Sequence, residues 1–140
     1  MSQIQWYPGH MAKSFRELDK NLRQVEIVMI LLDARIPMSS MNPEILRRLH
    51  NKPVLILFNK QDLADRKILS LWEDYYRQSG YYTLSIDATS PQSLRSIYPL
   101  VKDVILKEQV ERNLRRGRQL APFKTMILGI PNVGKSTLIN

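Results

Sequence analysis

The sequence predicts an α/β fold, a parallel sheet with helices on both faces, and two observations carry that prediction. Apolar runs of strand length, nearly free of polar residues, recur along the chain, as expected of strands buried on both faces. Stretches with helical spacing of apolar residues lie between them, which is the alternation of an α/β protein. In order, Met11, Phe15, Leu18, Leu22 and Val25 recur every third or fourth residue and predict an amphipathic helix over 12–25, its stripe packed on the core. Val25–Leu32 reads as a buried strand. Asn42–His50 reads as a short helix opened by Asn-Pro, and Pro53–Phe58 as a second buried strand. Ile68–Ser79 is predicted helical, with Ile68, Leu71, Trp72 and Tyr75 on one face and Gly80 as the stop. Tyr82–Ile86 follows as a third strand, then one long helix from Leu94 to about Arg116 with Gly117 near its end, then a fourth strand, Phe123–Leu128. No internal repeat or low-complexity segment interrupts the pattern.

Composition bounds the function. The 140 residues suffice for one domain with a real core, and 44% hydrophobic with 24% charged residues is ordinary for a soluble globular protein. There is no cysteine, which removes disulfides and thiolate metal sites and fits an intracellular, cytoplasmic location. The longest apolar stretch, Ile27–Leu32, is too short to span a bilayer, and the N-terminus lacks the pattern of a signal peptide. The excess of 21 Lys and Arg over 13 Asp and Glu, net +8, favours a polyanionic partner such as RNA or an acidic lipid surface.

The chemistry begins at the fourth strand. It runs into Gly129-Ile-Pro131-Asn132-Val133-Gly134-Lys135-Ser136-Thr137, which fits the phosphate-binding pattern Gly-x4-Gly-Lys-[Ser/Thr]. Its backbone N–H groups would wrap the α- and β-phosphates, aided by the positive end of the following helix. Lys135 would reach the β- and γ-phosphates and the Ser136 hydroxyl would hold Mg²⁺. Chance produces this pattern in roughly one chain of this length in a few hundred, and its place after an apolar strand makes chance a poorer account.

Asn59-Lys60-Gln61-Asp62 follows the second buried strand directly. It resembles the Asn-Lys-x-Asp guanine-specificity motif of P-loop GTPases. An ionised Asp62 accepts only, so it can take hydrogen bonds from guanine N1–H and the 2-amino group, for which adenine has no matching pair. Asn59 would bridge toward guanine N7 and the phosphate loop, and the Lys60 stem would cover the ring. Alone, such a tetrapeptide is more often a strand-end turn; with a phosphate loop on another strand end of one sheet, guanine binding is the better account. Ser85-Ile86-Asp87-Ala88-Thr89 stands where a GTPase carries a Ser-Ala-Lys-like segment whose backbone contacts guanine O6. Only Ala88 matches it, and a plain strand-to-loop junction is the competing reading.

Base motif before phosphate loop reverses the usual order and resembles a circularly permuted P-loop NTPase-like domain. Permutation preserves the site, because ligands bind at the carboxyl ends of the strands whatever the connectivity. Two further segments narrow the resemblance: Trp6-Tyr7-Pro8-Gly9-His10-Met11 and Asp33-Ala34-Arg35-Ile36-Pro37 are similar to the signatures of the YlqF family of permuted GTPases. That resemblance implies a GTPase that docks on the maturing large ribosomal subunit and its RNA, as a monomer and away from membranes, with GTP as substrate and GDP as product. It also implies that His10 positions the attacking water in place of a catalytic glutamine, working with Lys135. A neutral imidazole near pH 7 can do this, and can equally hydrogen-bond its own turn. Asn132 matches the variant of the loop seen in potassium-stimulated GTPases, where the asparagine helps to hold K⁺. Asp33 reads first as a cap for the turn after its strand, Arg35 as its partner, and phosphate or RNA contact comes second.

Lys107, Arg112, Arg115, Arg116 and Arg118 cluster at the end of the long predicted helix. Such a run is usually a solvated face, yet sequence-blind phosphate contacts would suit docking on folded RNA. The resemblance further implies an incomplete permuted G domain over 1–140, without switch loops or a C-terminal RNA-binding domain. By analogy with the Ras-like strand order, the four strands should be neighbours with the phosphate-loop strand at an open edge. This stretch alone is expected to be marginally stable, to bind nucleotide poorly and not to turn over. Two other classes compete with the GTPase reading: a non-catalytic basic RNA-binding module with a structural nucleotide site, and an ATP-using P-loop enzyme, which Asp62 disfavours.

Overall fold

The computed structural model describes residues 11–33, 43–49, 51–59, 66–87 and 89–129. Helix α1 spans Met11–Leu22, strand β1 Ile27–Asp33, α2 Pro43–Arg48, β2 Val54–Asn59, α3 Arg66–Gln78 and β3 Tyr82–Ile86. Then come α4 at Pro91–Arg95, α5 at Ile97–Leu100, a π-helical turn at Val101–Ile105, α6 at Lys107–Arg115 and β4 at Thr125–Gly129. All pairings are parallel and the strand order is β3-β2-β1-β4. Among the described strands the phosphate-loop strand β4 lies at the edge, as the analogy with the Ras-like strand order implies.

The period-two geometry of a strand divides β1 between two cores. Val28, Ile30 and Leu32 meet Leu18 and Leu22 of α1, Leu49 after α2, and Leu69 and Tyr76 of α3. Ile27, Met29 and Leu31 meet Ile97, Val101 and Leu106 from the segments between β3 and β4. Helices therefore cover both faces, and the near-continuous apolar runs follow from that double burial.

The long helix expected over Leu94–Arg116 is broken. Pro99 has no N–H to donate and its ring crowds the carbonyl four residues back, so α4 closes at Arg95 and a new turn begins at Ile97. Further on, the Leu106 N–H donates to the Val101 carbonyl at 2.8 Å, one residue beyond an α-helical bond. That extra residue has a packing reason. Val101 and Leu106 are five apart, a spacing that a 3.6-residue period would split between faces, and the π turn brings both inward.

The face of α3 also differs from expectation. Leu69 and Tyr76 are 4% and 3% exposed, whereas Ile68, Leu71 and Tyr75 are 47%, 69% and 53% exposed. This helix is apolar over a wide arc, and two overlapping series of helical spacing compete for the core. The series Leu69, Trp72, Tyr76 wins because Tyr76 packs on Phe58 of β2, ring centroids 5.9 Å apart, and on Tyr81, 6.2 Å. Side contacts to β3 hold the choice: Arg77 Nε donates to Thr83 Oγ1 at 2.8 Å, and the Ser85 hydroxyl donates to Glu73.

Helix α1 stops at Leu22, earlier than 25, and Val25 sits half-buried in the turn into β1. Gly80 and Gly117, with φ of 97° and 74°, close α3 and α6 in left-handed turns. In each, the residue after glycine donates back five positions, Tyr81 to Tyr76 and Arg118 to Asn113.

Candidate nucleotide site

Parallel strands share their direction, so every carboxyl end lies at one pole of the sheet. Asp33 pairs in register with Asn59, and Asn59 with Ile86; Gly129 ends β4 opposite Leu31. Chain connectivity singles out one place along this row. From β1 the chain moves to β2 and β3 through α2 and α3 on one face, then returns past β1 to β4 through α4–α6 on the other. Both moves obey the right-handed crossover rule only because the helices change face. The strand order thus reverses between β1 and β4, where open α/β sheets hold ligands at the carboxyl ends.

The sequence motifs flank that crevice. Asn59, first residue of the base motif, closes β2, and Gly129, first residue of the phosphate loop, closes β4, with β1 between them. Neighbouring strands lie about 4.8 Å apart and the two ends are staggered by two residues, so the two motifs start about 12 Å from one another. Asn59 is the buried polar residue among those described, 9% exposed and in register between Asp33 of β1 and Ile86 of β3. Burying a side-chain amide is costly unless it is bonded, so a position of this kind favours a residue with a defined polar task.

The junction after β3 is built from its own side chains. The Asp87 N–H donates to Ser93 Oγ at 2.8 Å, while the Thr89 N–H and hydroxyl donate to Asp87 Oδ1 at 2.9 and 2.6 Å. These bonds, the hydroxyl's first, hold the Asp87 carboxyl below its usual pKa. Ser90 then caps α4, accepting from the Ser93 N–H at 3.3 Å ahead of Pro91. Asp87 and Thr89, which depart from the guanine-O6 pattern, are therefore the turn-formers of this loop. The Ser-Pro pair at 90–91 is a cap signal in the sequence, and it sets the helix start ahead of the expected Leu94.

Of the residues predicted to act, Asn59 and Gly129 are brought to this pole. His10, Lys60, Asp62, Ala88, Pro131, Asn132, Val133, Gly134, Lys135, Ser136 and Thr137 lie outside the described residues, as does Arg35. The Mg²⁺ expected at Ser136 and the K⁺ expected at Asn132 fall with them. Among the described residues, no group of three or more His, Cys, Asp or Glu side chains gathers to hold a metal, and no helix is long and apolar enough to cross a membrane.

A parallel α/β sheet with a topological switch point, the first residue of a base-type motif ending β2 and the first residue of a phosphate-loop motif ending β4, is an α/β architecture of permuted motif order. Comparison with known proteins agrees. The chain is 46% identical over 137 residues to ribosome biogenesis GTPase A of Bacillus licheniformis, a match spanning 98% of this chain and 48% of that protein. A crystal structure of GNP-bound YlqF from T. maritima superposes with a TM-score of 0.58 at 26% identity, covering 91% of this chain and 46% of that one. A GDP-bound YlqF structure matches with a TM-score of 0.54, also at 26% identity, over 89% and 46%. No protein-family model matches the chain. Over nearly its whole length the chain is a homologue of the ribosome biogenesis GTPases of the YlqF type, and it spans about half the length of the relatives it matches.

Proposed function

We propose that the protein is a GTP-binding and GTP-hydrolysing assembly factor that acts on the large ribosomal subunit, and that residues 1–140 supply the base and phosphate half of its permuted G domain. The observation that carries this reading is the pair of strand ends, Asn59 and Gly129, on either side of the switch point. Relatives named as ribosome biogenesis GTPases, and similar structures with GNP and GDP bound, support it. Asp62 accepts from guanine N1–H and the 2-amino group, Lys60 covers the ring, Asn59 bridges to the phosphate loop, and the Ala88 N–H meets O6. Gly129, Pro131, Asn132, Val133 and Gly134 shape the backbone cradle, Thr137 continues it into the helix, and Lys135 neutralises the β- and γ-phosphates. Mg²⁺, when bound with the help of Ser136, supplies further neutralisation of the phosphate oxygens.

His10 orients the attacking water. Helix α1 starts at Met11 and returns, through a turn of four residues, into the amino end of β1. Its first turn is therefore directed toward the carboxyl pole, which supports a place for His10 beside the phosphates. Two substitutions in the full-length protein test these roles. Asp62→Asn moves preference from guanine toward xanthine nucleotides in competition binding; an unchanged guanine preference would remove Asp62 from base recognition. His10→Ala lowers turnover by about 10²- to 10⁴-fold with GDP affinity intact, the usual worth of a proton-handling group. Equal turnover would take His10 out of catalysis.

A further inference from the structure

The opposite pole of the sheet, at the amino ends of the strands, is cationic. Between Lys107 and Lys124 the sequence holds six basic residues against two acidic ones. Helix α6 and the left-handed turn at Gly117 direct this stretch to the start of β4. There it meets Arg23, from the turn into β1, although the two segments are some hundred residues apart in sequence. Glu26 N–H donates to the Lys124 carbonyl at 2.8 Å and fixes the junction. A cleft of about 670 Å³ opens between the two segments, lined by Arg23 and Lys124 with the amides of Asn21 and Gln24 and the ring of Phe123. Phe123 also walls an adjoining cleft that carries Arg118, so Arg23, Lys124 and Arg118 lie on continuous surface.

These cations are exposed, and so are Arg112, Arg115 and Arg116 on the flank of α6. The nearby carboxylates Glu26, Glu108 and Glu111 pair with none of them; among the described residues, ion pairs fall on Arg47, Arg48 and Arg77 instead. Exposed cations that pair with no carboxylate among the described residues, around a cleft that offers amides and an aromatic ring, match a folded RNA: phosphates meet the cations, and an unstacked base has polar and aromatic partners. We infer that this amino-end pole is an RNA-docking surface centred on Arg23, Arg118 and Lys124, separate from the nucleotide pole. The inference rests on the ribosome-linked function proposed above and adds the surface that would touch the particle.

The test is the salt dependence of binding to purified ribosomal RNA by the full-length protein, with GDP affinity measured in parallel. Changing Arg23, Arg118 and Lys124 together to Gln should lower the slope of log K against log salt by about 2 to 3 units, one phosphate contact each, with GDP affinity unchanged. The charge-keeping pair Arg23→Lys with Arg118→Lys should retain the slope. A triple change of Arg16, Arg66 and Arg95 to Gln, away from this pole, should leave it within one unit. An unchanged slope in the first variant, or an equal fall in the control, would overturn the surface while the ribosome reading stands. Wild-type protein that binds GDP but not RNA, or that binds only vesicles of acidic phospholipid, would overturn RNA as the partner and leave the nucleotide site standing.

Discussion

The two poles of the sheet differ in how they are assembled. At the carboxyl pole each contribution is a short contiguous motif that begins on a strand end, so Asn59 and Gly129 announce their loops in the sequence. At the amino pole the cationic surface joins Arg118, part of the basic run visible in the sequence, to Arg23 and Lys124 from other segments, and no local pattern marks that union. The difference shows why nucleotide chemistry is readable from spacing, whereas the extent of a docking surface, beyond its basic run, emerges from packing. It also gives the sheet between them a mechanical task, since both poles stand on the ends of the same strands, held by packing on both faces.

Breaking that shared core should have the largest effect. Phe58→Ala removes a fully buried ring that packs on Tyr76, and should cost about 3 to 5 kcal/mol in urea unfolding, lowering GDP and RNA binding together. A variant that lost only one of the two would show that the poles are not held by a common core. Next in size is a contrast within α3. Leu69→Ala should cost about 2 to 5 kcal/mol, while Leu71→Ala, two residues on and exposed, should stay within about 0.5 kcal/mol. Equal losses would return the helix to the face expected from its spacing.

A smaller effect follows from pH. Burial first, then the neighbouring phenols, raises Tyr76 above its ordinary value of 10.0, and Tyr81 is raised in the same way. The folded state thus holds these protons more tightly than the unfolded chain, so their contribution is complete below about pH 10 and is lost as pH rises beyond it. Thermal unfolding followed from pH 8 to 11 should show the midpoint falling above pH 10, and Tyr76→Phe should soften that fall. The smallest effect belongs to Asp87, whose lowered pKa contributes stability above its unfolded value of 3.8 that is lost as pH falls further. Being fully exposed, Asp87→Asn should shift the acid limb of a stability profile only slightly, and a large shift would contradict its role as a local turn-former.

Much of the fold was legible because apolar runs buried on both faces leave few alternatives: Tyr82–Ile86 is found as read, and the other strands shift by one or two residues. Two errors have physical causes. One long helix fails at Pro99, whose missing donor outweighs good spacing on either side, and the π turn at Val101–Ile105 answers a five-residue gap that a fixed period cannot represent. On α3 the arc from Ile68 to Tyr76 is apolar enough for two faces, and the aromatic partners that decide between them, Phe58 and Tyr81, come from other elements. At the site, Asn59 and Gly129 were visible as motif beginnings. The switch point was not, because it depends on which side of β1 the chain returns to.

The most direct test of the two-pole account is amide hydrogen exchange of the full-length protein with and without GDP. The account predicts slowed exchange at the ends of β2 and β4 and in the loops that follow Asn59 and Gly129, with Arg116–Lys124 and the turn at Arg23 unchanged. Protection concentrated at Arg23 and Arg116–Lys124, with the carboxyl ends unaffected, would contradict it.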